Sequence, residues 1–144
     1  DGQHVPQPTA DTMAQAMRLA LEDAGLEPQQ IGYVNAHGTA TEHGDIAETQ
    51  ATASLFGSRM RISSQKSYLG HTLGAWGALE SWFSIEMLNR DWYAPTLNLR
   101  NVDPLCGDLD YLNGDGRRMS NEYVMNNNFA FGGINTSLIF RRWS

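Results

Sequence analysis

The sequence predicts an α/β domain, with a mixed β-sheet layered between helices. Two observations carry that expectation. Amphipathic helical stretches alternate with short apolar runs over the first ninety residues, and three more strand-like runs then follow with no helix among them. The resulting order is α-β-α-β-α-β-β-β, without an internal repeat.

Residues 1–9 are rich in Pro and Gln and read as a loop. Met13, Met17, Ala20, Leu21 and Ala24 then recur on one face at helical spacing. Thr9 or Asp11 is placed to cap the start of this helix. Gly25 stands at its C′ position, and Pro28 blocks continuation. Residues 31–36 form an apolar run that reads as a buried strand, followed by a polar loop over 38–44. A second helix is expected over 45–56, stopped by Gly57, and a second strand over 60–64.

Residues 70–90 hold a third helix. Between Gly70 and Ile85 its only formal charge is Glu80, and small residues alternate with Leu73, Trp76, Leu79, Trp82 and Phe83. Such a helix, apolar nearly all round, is expected to be buried on most sides. Residues 109–112, 123–127 and 136–140 complete the strands, with a turn at Asn113-Gly114-Asp115-Gly116.

Composition narrows the function classes. The chain has 144 residues, 41% of them apolar, which supports a real core and excludes disorder. The net charge is −6 with Lys and Arg scattered, which argues against nucleic acid. No apolar run approaches the ~18 residues of a membrane helix, so the chain is expected to be cytoplasmic and off the membrane. The single cysteine, Cys106, lies in the acidic turn Asp103-Pro104-Leu105-Cys106-Gly107-Asp108, a poor setting for a nucleophilic thiolate. The chain opens on Asp1-Gly2 and is expected to be cut from something longer, whereas the strand that runs out into charge over 137–144 reads as a natural terminus.

Three polar clusters stand at element ends. His37-Gly38-Thr39-Ala40-Thr41 follows the first strand. A His there fits a structural role or a ligand site, since open α/β sheets bind ligands at strand C-termini. His37 and His43 match no zinc spacing, and no metal is expected. Lys66-Ser67-Tyr68-Leu69-Gly70-His71-Thr72 precedes the third helix. His71 in its first turn would be kept neutral by the helix dipole, as a cap or as a hydrogen-bond donor to developing charge. Asn126-Asn127-Asn128-Phe129-Ala130-Phe131-Gly132-Gly133-Ile134-Asn135 joins two strands, as a glycine-bearing hairpin loop or an anion-binding nest.

Together the clusters resemble the β-ketoacyl-acyl-carrier-protein synthases of the thiolase superfamily. Val34-Asn35-Ala36-His37-Gly38-Thr39-Ala40-Thr41 is similar to the family's N-x-H-G-T-x-T. Gly44-Asp45 and Glu48 match the G-D-x-x-E that follows it. Lys66 and Gly70-His71-Thr72-Leu73-Gly74-Ala75 look like K-x-x-x-G-H-x-x-G-A, and Asn127 to Gly133 resembles N-S-F-G-F-G-G. Two histidines, rather than a cysteine base or a His–Asn pair, point to the elongating branch.

The resemblance implies a thiolase-like half-domain over residues 1–144, with the N-terminal half and its nucleophilic cysteine absent. It implies that the parent enzyme performs a decarboxylative Claisen condensation on substrates carried by the phosphopantetheine of acyl carrier protein, with no further cofactor. His37 and His71 would bond the malonyl thioester oxygen. Lys66 would pair with Glu48 and orient the surroundings of His71. The Phe131 N–H would serve the oxyanion hole and its ring would gate the nucleophile. Thr39 and Thr41 would bind pantetheine. Phe129 would line the substrate site, and Asp45, Glu48, Gly132 and Gly133 would support it. Expected partners are acyl carrier protein, the missing half and a second subunit of the full-length homodimer. The alternative is a non-catalytic subunit similar to chain-length factors. Two departures stand out. Ala130 replaces a family glycine, which stiffens the gate, and Pro6 occupies the place of a pantetheine-binding threonine.

Overall fold

A computed structural model describes residues 9–38, 42–57, 59–65, 76–96, 102–129 and 134–143. Helix α1 spans Ala10–Ala24, with Thr9 as its N-cap and Gly25 in the left-handed region at its end. Thr9 and Thr12 cap reciprocally, each hydroxyl accepting from the other residue's backbone N–H. A short 3₁₀ turn, Pro28–Gln30, leads into strand β1, Ile31–Asn35.

Helix α2 spans Glu42–Phe56 and so begins three residues before its predicted start. Glu42 and His43 carry no apolar periodicity, and the polar segment around Gly44 reads as loop until the backbone is seen. Strand β2 is Arg61–Ser63, helix α3 is Trp76–Arg90 and strand β3 is Trp92–Tyr93. Strands β4 (Asp110–Tyr111), β5 (Arg117–Arg118), β6 (Tyr123–Phe129) and β7 (Asn135–Arg141) complete the order. The two-residue ladder of β3 with β5 was not predicted, because segments that short carry no period.

The main sheet has the order β4-β2-β1-β6-β7. Its first four strands run parallel, and β7 returns antiparallel to β6. Helices cover both faces. Met13, Met17 and Leu21 of α1, with Ala51 of α2, pack on Ile31, Val34, Ile62 and Met125. On the opposite face Met87 and Leu88 of α3 pack with Tyr33, Tyr93, Leu112 and Val124.

Strict alternation would place Ile31 and Tyr33 on the same face. A register shift between Ile31 and Val34 breaks it and sends them to opposite cores. Gly32 lies in this irregularity because Asn121 packs onto it: a Cβ there would meet Asn121 Oδ1 at 2.1 Å.

Helix α3 inverts its expected polarity. Glu80 and Ser84 are fully buried, whereas Leu79 and Ile85 are each 37% exposed and Trp82 is 56% exposed. The predicted burial on most sides is therefore not supplied within the described residues. The C-terminal end of α3 is held by Arg142, whose guanidinium donates to the Leu88 carbonyl at 2.6 Å and pairs with Asp91. A cation suits that end of a helix.

Candidate active site

The chain winds outward from β1 to β2 to β4, then returns to the other side of β1 as β6. The gap between the C-terminal ends of β1 and β6 is therefore a topological switch point, the place where open parallel sheets hold ligands. His37 leaves β1 there and Phe129 ends β6 there. Their rings meet edge to face with centroids 6.3 Å apart.

The turn that carries His37 is held from two sides. Glu48, in α2 and only 3% exposed, accepts the backbone N–H of His37 at 2.6 Å and that of Gly38 at 3.0 Å. One carboxylate thus satisfies two donors of a turn that has left the sheet ladder. On the other side Ser64 donates to the Gly38 carbonyl at 3.4 Å. Gly38 has φ +49°, and a Cβ there would fall 2.5 Å from Ser64 Oγ, so the position requires glycine for conformation and for space.

Beneath His37 a polar chain links three elements. Asn35 donates to Asn126 Oδ1 at 2.6 Å, and Asn126 donates to Ser81 of α3 at 3.3 Å. A second buried cluster surrounds Tyr33, whose hydroxyl lies 2.5 Å from Ser63 Oγ and takes a long bond from Gln65. Full burial pushes the Tyr33 phenol far above its ordinary pKa, so it stays neutral.

Asp45 stands one turn before Glu48 on α2, on the side of Tyr111. Burial, helped by the charges of Asp108 and Asp45, pushes the Tyr111 phenol up to about 12. Cys106 is a half-buried free thiol. Among the described residues no three of His, Cys, Asp and Glu gather to hold a metal ion. None of the described helices is long and apolar enough to cross a membrane.

Of the predicted site residues, the structure brings His37, Glu48 and Phe129 together, with Asp45 one turn away on the same helix. Thr39, Thr41, Lys66, His71, Phe131, Gly132 and Gly133 lie outside the described residues, as does the expected convergence of the two histidines. Sequence reasoning gave no role to Asn126, Ser81, Ser64 or Thr96. The available signal was a run of three asparagines inside an apolar strand, since buried polar side chains in a core strand need partners.

The family profile of the beta-ketoacyl synthase C-terminal domain matches residues 1–100. The chain belongs to the β-ketoacyl synthases. It is 38% identical to the 3-oxoacyl-[acyl-carrier-protein] synthase 2 of Synechocystis, over 99% of this chain and 35% of that protein. It is 41% identical to the protein of the same name from Coxiella burnetii, over 95% of this chain and 34% of that one. The chain therefore spans about a third of the length of these curated relatives. Among solved structures, a beta-ketoacyl synthase from Burkholderia phymatum is 68% identical, with a TM-score of 0.95 over the whole chain and 35% of that protein. A structure described as the ishigamide ketosynthase/chain length factor is 35% identical, with a TM-score of 0.92 over 36% of its chain. The half-domain is thus thiolase-like, with the mixed sheet and the two helical faces expected of it.

Proposed function

We propose that residues 1–144 are the C-terminal domain of a 3-oxoacyl-[acyl-carrier-protein] synthase that extends an acyl chain in fatty-acid or polyketide-like synthesis. The observation that carries this reading is the seating of His37 at the switch point, its backbone held by Glu48 and its ring beside Phe129.

In the complete enzyme a cysteine of the N-terminal half holds the acyl chain as a thioester. The malonyl group on acyl carrier protein loses carbon dioxide, and the electron pair of the broken bond passes to the thioester as an enolate. His37 and His71 donate hydrogen bonds to the oxygen on which this charge collects. The enolate carbon attacks the acyl carbonyl, whose oxygen is received by the Phe131 N–H, and the cysteine thiolate leaves. Lys66 supports His71, Thr39 and Thr41 bind the pantetheine arm, Phe129 and Phe131 line and gate the site, and Asp45, Gly132 and Gly133 support it. The reaction balances without a cofactor beyond the pantetheine that carries the substrate. The complete protein is cytoplasmic and dimeric, and its N-terminal half covers the exposed face of α3.

The reading extends what the relatives suggest. One solved neighbour, 31% identical with a TM-score of 0.90, is a type II polyketide acyl-carrier protein in complex with its ketosynthase. The test is a chimaera in which the matching third of the Burkholderia ketosynthase is replaced by this chain. It should condense malonyl-acyl carrier protein, and His37→Ala should lower that rate about 10²–10³-fold while acyl loading of the cysteine persists. Full condensation by His37→Ala would refute the proposal. A folded chimaera that never condenses, yet supports chain extension by a separate active ketosynthase, would establish the chain-length-factor role instead.

A further inference from the structure

We infer that Ser64 and Thr96 form a clasp that positions His37. Neither residue belongs to the motifs that single out the site, and the inference rests on reading His37 as the donor to the malonyl thioester.

The geometry runs in a line from the core to the turn. Leu112, itself fully buried, accepts the backbone N–H of Thr96 at 3.0 Å. The hydroxyl oxygen of Thr96 accepts the backbone N–H of Ser64 at 3.0 Å. Ser64, 8% exposed, then packs its side chain against Gly38 and donates to the Gly38 carbonyl. One residue earlier, the Ser63 carbonyl accepts the N–H of Ala36 at 2.9 Å.

Ser64 lies just beyond β2, where ladder bonds no longer fix the backbone. Thr96 replaces the missing ladder partner with a side-chain oxygen. Glu48 holds the N–H side of the His37–Gly38 turn, and Ser64 holds its carbonyl side and blocks its sideways movement. With either side released the imidazole would still exist, but not at one fixed distance from the reacting oxygen. A displacement near 1 Å can cost on the order of a hundredfold in rate. Removing one hydrogen bond from a clasp of two should cost about tenfold.

The experiment uses the chimaera. Thr96→Val removes the acceptor and keeps the shape. It should lower malonyl decarboxylation about tenfold, with KM for malonyl-acyl carrier protein and acyl loading unchanged and the thermal midpoint lowered only by what one unpaired buried N–H costs. Thr96→Ser should recover most of the rate. Ser64→Ala should show the same split between the two half-reactions, and it serves as the test should Thr96→Val fail to fold. The double variant should be no slower than Ser64→Ala alone, because the two residues act in series. Additive losses, equal losses in loading and decarboxylation, or decarboxylation within twofold of wild type in Thr96→Val would each overturn the clasp. If Thr96→Val is silent while His37→Ala is slow, the clasp alone fails. If His37→Ala is also silent, the functional reading fails with it.

Discussion

Glu48 is buried where an apolar side chain would fill the space, yet its two oxygens meet two backbone donors that no strand or helix serves. Replacement by Gln keeps the shape but turns an NH₂ group toward an N–H, and one buried donor loses its acceptor. Leaving such a group unpaired costs about 1–3 kcal/mol. Glu48→Gln in the chimaera should lose stability of that order in urea unfolding, and condensation should fall at least tenfold because the His37 turn loosens. Unchanged stability and rate would show that the carboxylate does not hold the turn. At this scale legibility was uneven. His37, Glu48 and Phe129 could be picked out because they lie in stretches that resemble the family's motifs. Ser64 and Thr96 could not, because they are ordinary residues 32 positions apart that meet only when β2 and the segment after β3 are in place.

Elements were legible where a period exists. The first helix was bounded closely because an apolar stripe and a terminal glycine agree; of the two caps the sequence offers, Thr9 and Asp11, the structure uses Thr9. Strand β1 was placed correctly, but the fault at Gly32 that splits its residues between two cores is invisible without Asn121 beside it. Helix α3 shows a different limit. Its composition predicted burial all round, while the described residues cover one side and leave Leu79, Trp82 and Ile85 outward. Gly77, near its start, has nothing among the described residues within 4 Å of where a Cβ would stand. In the isolated chain Gly77→Ala should therefore stabilise, by roughly 0.5–1 kcal/mol, since alanine is the better helix former. In the chimaera the same change should destabilise if, as proposed, the other half packs over α3, because the added methyl would meet it. Thermal unfolding of both pairs decides, and stabilisation in both contexts would mean that nothing packs closely on Gly77.

Among the described residues one core is closed and the other is open. The face of the sheet under α1 and α2 is sealed by Met13, Met17, Leu21 and Ala51. The face under α3 is capped by a helix whose own outer side is apolar, and Leu138 of β7, 47% exposed, borders the same side of the sheet as Phe140. Water is a poor neighbour for that surface: covering it is worth roughly 25 cal/mol per Å². A contiguous apolar patch of more than a few hundred Å² ordinarily marks an interface. The curated relatives are about three times as long as this chain, and on the proposed function the remaining length would cover this face. Without it, a second copy is the available substitute. The purified chain should therefore associate through α3, with light scattering giving a mass above 16.0 kDa that rises with concentration. Trp82→Lys places a charge in the centre of the patch and should shift the chain toward monomer while leaving the core beneath Glu80 and Ser84 intact. A concentrated wild-type monomer that binds no hydrophobic dye would mean that α3 is already covered from within, and the open core described here would not exist.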